Sequence, residues 1–422
     1  MMLHALLFAA AGLTPSVHTV DDTPGTGADF ADIQTAIDFA ADGDTILIFE
    51  GDYPAFVLDG KDVALEADNL AEVFVGGSTI RNIPAGSEVL LRRLNFLATD
   101  TDALLVEQCG GTVWVEECGF DSELSEGTFQ PGGDGLVLDT VADARVLRSF
   151  VSGGHGSSEL FLFVVAQPGG AGLRAKDSSV VLMDSLVTGG HGGGAAFYGI
   201  LHGGDGGDAV ALEGSTLQAW GNNIQAGNGG YGDYCDCPGG LICGIPGTGG
   251  DAIEVVAAST TPSVELLDTT LLAGAPGLSG SLFGMCPDGA PGNELAAGPA
   301  DVVTLPGPHR SFWTKSPARD AGPAALYFYG EPGDLAIIAL GPSSSPFELP
   351  GITGTLFLSP TAQVLFSGPW DPSVLEPLVV NIPDQPAGFE TLRLYTQGAV
   401  VTPLGEIRLI DPATLVLIDD SF

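Results

Sequence analysis

Positive charge is scarce in this chain. Its 422 residues carry 13 Lys and Arg against 53 Asp and Glu, a formal charge of −40. Phosphate backbones need a basic surface, so nucleic acid is excluded as a partner. Anionic polysaccharide is disfavoured for the same reason, while cation binding and solubility in a saline medium are favoured. Long hydrophobic runs are missing too. The apolar stretch at residues 3–13 is too short to span a bilayer. It has the hydrophobic part and the small residues of a secretory signal but lacks the basic leader. Residues 1–16 therefore read as a candidate signal segment, and the protein as secreted or displayed at a cell surface. Paired C-x-x-C spacing is absent. Cys109, Cys118, Cys235, Cys237, Cys243 and Cys286 accordingly read as disulfide candidates in an oxidising compartment, in preference to a zinc set of Cys235, Cys237 and Cys243.

What is present is a repeat: apolar, any, apolar, two variable residues, small or polar, any, apolar. It reads Val89, Leu91, Leu94, Phe96, then Val113, Val115, Cys118, Phe120, then Ala144, Val146, Ser149, Val151. Val180, Leu182, Ser185, Val187, then Leu217, Ala219, Asn222, Ile224, then Val264, Leu266, Thr269, Leu271 complete it. A second apolar motif precedes it in each unit, starting at Leu104, Leu136, Leu173, Val210 and Ile253. Short strands repeated without intervening helices predict a β-helix solenoid. Steps between units are 24, 31, 36, 37 and 47 residues, and the added residues always follow the same strand. Loops 152–171, 188–208, 225–251 and 272–292 should therefore leave one face. Residues 131–293 hold 37 of the 62 glycines, a composition that lets neighbouring backbones approach and pair.

A helix with Asp29 or Asp32 as its cap, and with Ile33, Ala36, Ile37 and Ala40 on one face, should cover the first strand. Residues 301–324 are rich in Pro, Ala and Gly and read as a linker. From 325 to 422, alternating strands with short turns predict a sandwich. The expected fold is all-β: a right-handed parallel β-helix solenoid over 17–300 with an N-terminal capping helix, glycine-rich loops on one face, and a C-terminal antiparallel β-sandwich.

The run Asp29-Phe-Ala-Asp-Ile-Gln-Thr-Ala-Ile37, with Asp44-Thr-Ile-Leu-Ile48 and Gly51-Asp-Tyr53, resembles the N-terminal cap of right-handed parallel β-helix proteins of the pectin-lyase-like superfamily. Leu349-Pro-Gly-Ile-Thr-Gly354, with Ile382-Pro383 and Gln397, is similar to a C-terminal β domain of secreted planctomycete proteins. That superfamily holds lyases, hydrolases, esterases and non-catalytic adhesins, so the resemblance implies a fold and no single activity. Polygalacturonase-like members imply Gly-His-Gly with aspartates and Arg-x-Lys. His155 and His191 sit in Gly-His-Gly, but Arg174-Ala-Lys176 lies between the two copies and no Asp-Asp precedes either, so no acid and base pair assembles. Lyase-like members imply a basic residue and calcium. Arg93 and Arg148 occupy equivalent variable positions and read as a pair facing outward, within reach of Glu116 and Glu117.

Asp102, Asp134, Asp208 and Asp251 each stand two residues before the second motif, and Asp205 belongs to a partial match to a calcium nonapeptide. The column reads either as turn caps accepting backbone N–H groups or as ligands for structural calcium. No catalytic set is complete. The expected function is exported, non-catalytic and structural or adhesive, with the chain itself (a filament or surface layer) or an extracellular glycan as partner. A polysaccharide lyase or glycoside hydrolase using the solenoid groove is the alternative, and a glycan-binding module the second.

Overall fold

The computed structural model describes residues 15–422 except 70, 124–129, 159–165, 195–201, 233, 238–239, 257–261, 280–285, 299, 350–351, 360, 370–376 and 386–387. Residues 1–14 of the candidate signal segment thus lie outside the described residues. The helix Ile33–Phe39 is capped by Asp32, whose side chain accepts the Thr35 N–H at 2.8 Å, and it buries Ile33, Ala36 and Ile37 against the first coil.

The remainder of the first body is a right-handed parallel β-helix. Each middle coil supplies strands to three parallel sheets, one more than the two motifs suggested, because the eight-residue motif spans a corner. Its first half forms one sheet, with Val89, Val113, Ala144, Val180, Leu217 and Val264 in direct register. Its second half forms another, with Phe96, Phe120, Val151, Val187, Ile224 and Leu271 in register. The corner between them is a column of left-handed residues: Arg93 (φ 57°), Glu117 (56°), Arg148 (49°), Asp184 (49°), Gly221 (67°) and Asp268 (46°). The preceding motif forms the third sheet, with Leu104, Leu136, Leu173, Val210 and Ile253 in register.

Residues 301–324, expected to be a linker, carry strands. Asp301–Leu305 pairs with Ser263–Leu267 as the last strand of the first sheet, which sets Val302 beside Val264. Ser311–Thr314 and Ala318–Arg319 already belong to the C-terminal domain. Pro, Ala and Gly here mark turns between strands. The C-terminal domain packs a three-stranded sheet on a five-stranded one, mostly antiparallel, with Phe312, Leu326 and Phe328 meeting Ile338, Val400 and Ile410. It lies along the outer face of the first sheet, where Leu90, Trp114, Leu147, Met183 and Trp220 meet Phe357, Tyr395 and Val416. Strands such as Glu88–Arg92 are consequently buried on both faces.

The glycine-rich loops are not free linkers. Outgoing and returning arms of successive coils bond in one continuous series. Gly170 donates to Gly154 O at 2.8 Å, Gly190 to Gly170 O at 2.9 Å, Gly207 to Gly190 O at 2.7 Å, Gly227 to Gly207 O at 2.8 Å and Gly250 to Gly227 O at 2.9 Å. The direction each residue faces repeats every three positions. A Cβ on Gly190 or Gly193 would strike one neighbouring arm at 1.8 or 2.0 Å, and one on Gly189 or Gly192 another at 2.1 or 1.9 Å, while Gly194 stands open. Three is the period of a polyproline II helix, not of a strand. The described arms of these loops therefore form a slab of packed polyproline II arms in which two positions in three face a neighbouring arm and are mostly glycine, with Ser157, Ala166, Gln167, Ala226 and Pro246 among the exceptions.

Coil-to-coil bonds run alongside. Gly156, Gly192 and Gly229 donate to the carbonyls of His191, Asn228 and Ala275 in the following coil. Gly132, Gly169, Gly206 and Gly249 donate to those of Pro168, Asp205, Thr248 and Ala290. At the equivalent places after Ala275 and Ala290 the terminal coil has Pro276 and Pro291, which have no N–H to offer.

Candidate functional site

Every third residue of an arm points its N–H out of the slab, where no backbone carbonyl can reach it. Side chains of the preceding coil supply the missing acceptors. His155 Nδ1 accepts the His191 N–H, and His191 Nδ1 the Asn228 N–H, each at 2.8 Å. Asn228 Oδ1 accepts from Ala275 at 2.8 Å and Ser158 Oγ from Gly194 at 3.0 Å. On the returning arms, Asp102 accepts from Asp134 at 2.8 Å, Asp134 from Ala171 at 2.6 Å, Asp208 from Asp251 at 2.7 Å, and Asp251 from Asn293 at 2.6 Å. Asp205 accepts from both the N–H and the hydroxyl of Thr248.

The aspartates and both Gly-His-Gly histidines are thus one construction, a ladder of acceptors linking coil to coil. The His155 and His191 rings stack at 4.8 Å and 4°. Burial, with His155 alongside, lowers the His191 pKa. Arg174 pairs with Asp134 at the surface, and Lys176 lies 4.0 Å from Glu213. Burial beside Glu254 pushes the Asp208 carboxyl up to about 7, against the opposing Asp251 N–H.

Arg93 and Arg148 do not face solvent. Their corner column lies beneath the C-terminal domain. Arg148 pairs with Glu116 and donates to Phe312 O at 3.1 Å, and Arg93 donates to Ala67 O. Between them is a buried network that the motifs did not single out. Arg92 donates to Thr414 O at 2.5 Å and Thr314 O at 2.6 Å, and Glu116 accepts the Thr414 hydroxyl at 2.6 Å. Burial alone would raise the Glu116 carboxyl, but Arg92 and Arg148 outweigh it and hold it below the usual range. Arg145, also fully buried, lies 4.8 Å over Trp114 and 4.5 Å over Phe357. Arg92 and Arg148 thus fasten the C-terminal domain to the solenoid, whereas Arg93 bonds to Ala67 and Asn69 within the solenoid; the covered face is visible in sequence only as apolar residues on the outward side of the first-sheet strands.

Cys109 and Cys118, expected as disulfide candidates, are free and buried. Cys118 occupies the small or polar place of the motif, one rung of an internal ladder in which Cys118 N–H donates to Ser149 Oγ and Ser149 N–H to Ser185 Oγ. Its thiol faces the carbonyls of Leu91 and Glu116, and burial pushes it up to about 12, so it is an inert hydrophobe. Cys109 sits on another part of the coil, level with Val141. Cys243 and Cys286 form a disulfide that ties two loops together. The side chains of Cys235 and Cys237 lie outside the described residues.

Among the described residues, two groups bring three potential metal-ligand atoms within 4.8 Å of one another: Asp184, His309 and Asp411, and Asp320, Asp419 and Asp420. Neither includes the aspartate column. His309 follows the solenoid's last strand in no recognisable motif, and only the fold brings it to Asp184.

The three-sheet coil with its covering domain defines the chain as a parallel β-helix protein. No protein-family model and no curated protein matches it, and nothing ties the C-terminal domain to planctomycete proteins. Among solved structures, a periplasmic alginate epimerase, AlgG, is similar over 62% of this chain and 62% of that one, at 10% identity and TM-score 0.24. The match thus spans under two thirds of the epimerase. The enzymatically active domain of Bacteriophage CBA120 tailspike protein 2 is similar over 88% of this chain and 70% of that one, at 10% identity and TM-score 0.19. The assignment of fold rests on the strand ladder itself.

Proposed function

We propose that this is an exported extracellular or cell-surface protein whose role is structural or adhesive and not catalytic. The observation that carries the reading is the C-terminal domain lying over the first sheet, which buries the arginines that a lyase would need and leaves them bonded to Glu116 and backbone carbonyls. The acceptor ladder supports it as well, since the histidines and aspartates hold the glycine slab together. A loop-tying disulfide suits an oxidising compartment, and no described helix is long and apolar enough to cross a membrane. For adhesion, Trp313 stacks on Tyr327 at 4.9 Å and on the half-exposed Tyr329 at 5.0 Å, an aromatic face suited to sugar rings.

The test is incubation of the purified full chain with polyuronates and neutral glycans, with and without calcium, while following product release and binding. No cleavage is expected. The enzymatic alternative would rest on the exposed Arg174 with the less accessible Asp134 and Asp208 beside it. Turnover that Arg174→Ala abolishes without loss of fold would overturn the non-catalytic reading.

A further inference from the structure

The junction between the solenoid and the C-terminal domain holds a second feature, built from three separate parts of the chain. Asp184 is a left-handed corner residue, His309 leads into Ser311–Thr314, and Asp411 lies within Ile407–Ile418. We propose that Asp184, His309 and Asp411 form a divalent-cation site, best suited to zinc, that fastens the C-terminal domain to the solenoid.

The spacing fits. His309 Nε2 lies 3.3 Å from Asp184 Oδ1 and 3.0 Å from Asp411 Oδ1. Nitrogen and carboxylate ligands on a tetrahedral zinc, each about 2.0–2.2 Å from the ion, stand roughly 3.3–3.6 Å apart. The hydrogen bonding is deficient without an ion. Both carboxylates converge on one nitrogen, and a protonated imidazole has a single hydrogen there. Asp411 is fully buried, and both of its oxygens turn to that one nitrogen, Oδ1 at 3.0 Å and Oδ2 at 3.3 Å.

The charge is unbalanced as well. Two carboxylates and one imidazolium leave a buried surplus of one negative charge, while the exposed Asp268 accepts the His309 backbone N–H at 2.9 Å. Among the described residues, His309 is the sole charged partner of Asp184 and Asp411. A divalent ion with a neutral imidazole cancels the two carboxylates.

The surroundings are shaped for these ligands. Ser311 Oγ donates to Asp184 Oδ2 and so orients it. In the neighbouring coil the corner residue is Gly221, where a Cβ would fall 2.3 Å from His309 Cδ2 and 2.6 Å from Asp184 Oδ1. The imidazole favours zinc over calcium, which takes oxygen ligands.

The test is calorimetric titration of the full chain, stripped with chelator, with zinc and separately with calcium, run in two buffers of different protonation enthalpy. The titrated protein carries His155→Asn and His191→Asn, which remove the surface histidine pair as a competing ligand. One zinc per chain is expected, with proton release and a rise in Tm. His309→Gln or Asp184→Asn should weaken binding more than about 100-fold. Absence of zinc binding, or binding indifferent to both substitutions, overturns the proposal. Should those variants fail to fold, cobalt added to the otherwise unaltered chain decides. Intense four-coordinate visible bands support the site, and weak octahedral bands or none refute it.

Discussion

Gly190→Ala separates a packed slab from a flexible loop by the sign of its effect. In a linker, alanine restricts the unfolded chain and stabilises by about 0.4–1 kcal/mol. In the slab, the new Cβ would lie 1.8 Å from Gly154 O, against a 3.0 Å floor for real Cβ contacts. Relieving that clash moves the arm further than its hydrogen bonds tolerate. Two are at stake, Gly190 N–H to Gly170 O at 2.9 Å and Gly207 N–H to Gly190 O at 2.7 Å. Each is worth about 1 kcal/mol net, and orphaned buried partners add about 1–3, so a destabilisation of roughly 2–5 kcal/mol is expected. Gly194→Ala in the same arm is the control. Its Cβ would meet only Ser158 Oγ and Tyr231 Cβ, both at 3.8 Å, so it should be neutral or slightly stabilising. Urea denaturation measures both variants, and amide exchange at Gly207 and Gly227 locates the damage. A Gly190→Ala protein as stable as Gly194→Ala, with unchanged protection, would refute the packed slab.

Acid should loosen the slab. The His191 pKa lies below its unfolded value of about 6.5, so the stability it contributes is complete above that pH and is lost as pH falls through the folded value. Faster amide exchange at Asn228, whose N–H the ring accepts, should mark the loss between pH 7.5 and 5. Arg148→Ala leaves Glu116 buried and short of a partner, and should cost about 3–5 kcal/mol in urea denaturation. Arg174→Ala removes a pair whose arginine is 52% exposed, and should cost less than about 1 kcal/mol. Pro276→Gly combined with Pro291→Gly restores two N–H groups at the open end of the slab. Sedimentation should show concentration-dependent association for that variant and not for the unaltered chain, as expected if proline protects the edge.

The solenoid was legible because burial of one side chain per rung fixes a repeat that needs no other information. The column from Val89 to Val264 is a true register. The corner was not legible, because nothing in Arg93 or Arg148 announces a left-handed backbone, and the motif therefore read as one strand where there are two. The rung at Val302 escaped because Pro and Gly around it suggested a linker. The capping alternative for the aspartates was legible in kind, but the bonded N–H belongs to the next coil and so lies 32–43 residues away, beyond any local signal. The cluster at His309 was invisible, since its members are separated by 125 and 102 residues and meet only after the C-terminal domain has docked.

The buried arginines change the protein as its surroundings meet it. Arg92, Arg93, Arg145, Arg148, Arg310, Arg393 and Arg408 all have side chains less than 20% exposed, and together they are seven of the 13 basic residues. Most cations therefore face inward while many acids face water, so the outer potential is almost uniformly negative. At low ionic strength such particles repel one another over distances exceeding the Debye length of about 10 Å at 0.1 M salt. Contact with a neighbouring surface then becomes a colloidal question, governed by dissolved salt as much as by any single side chain.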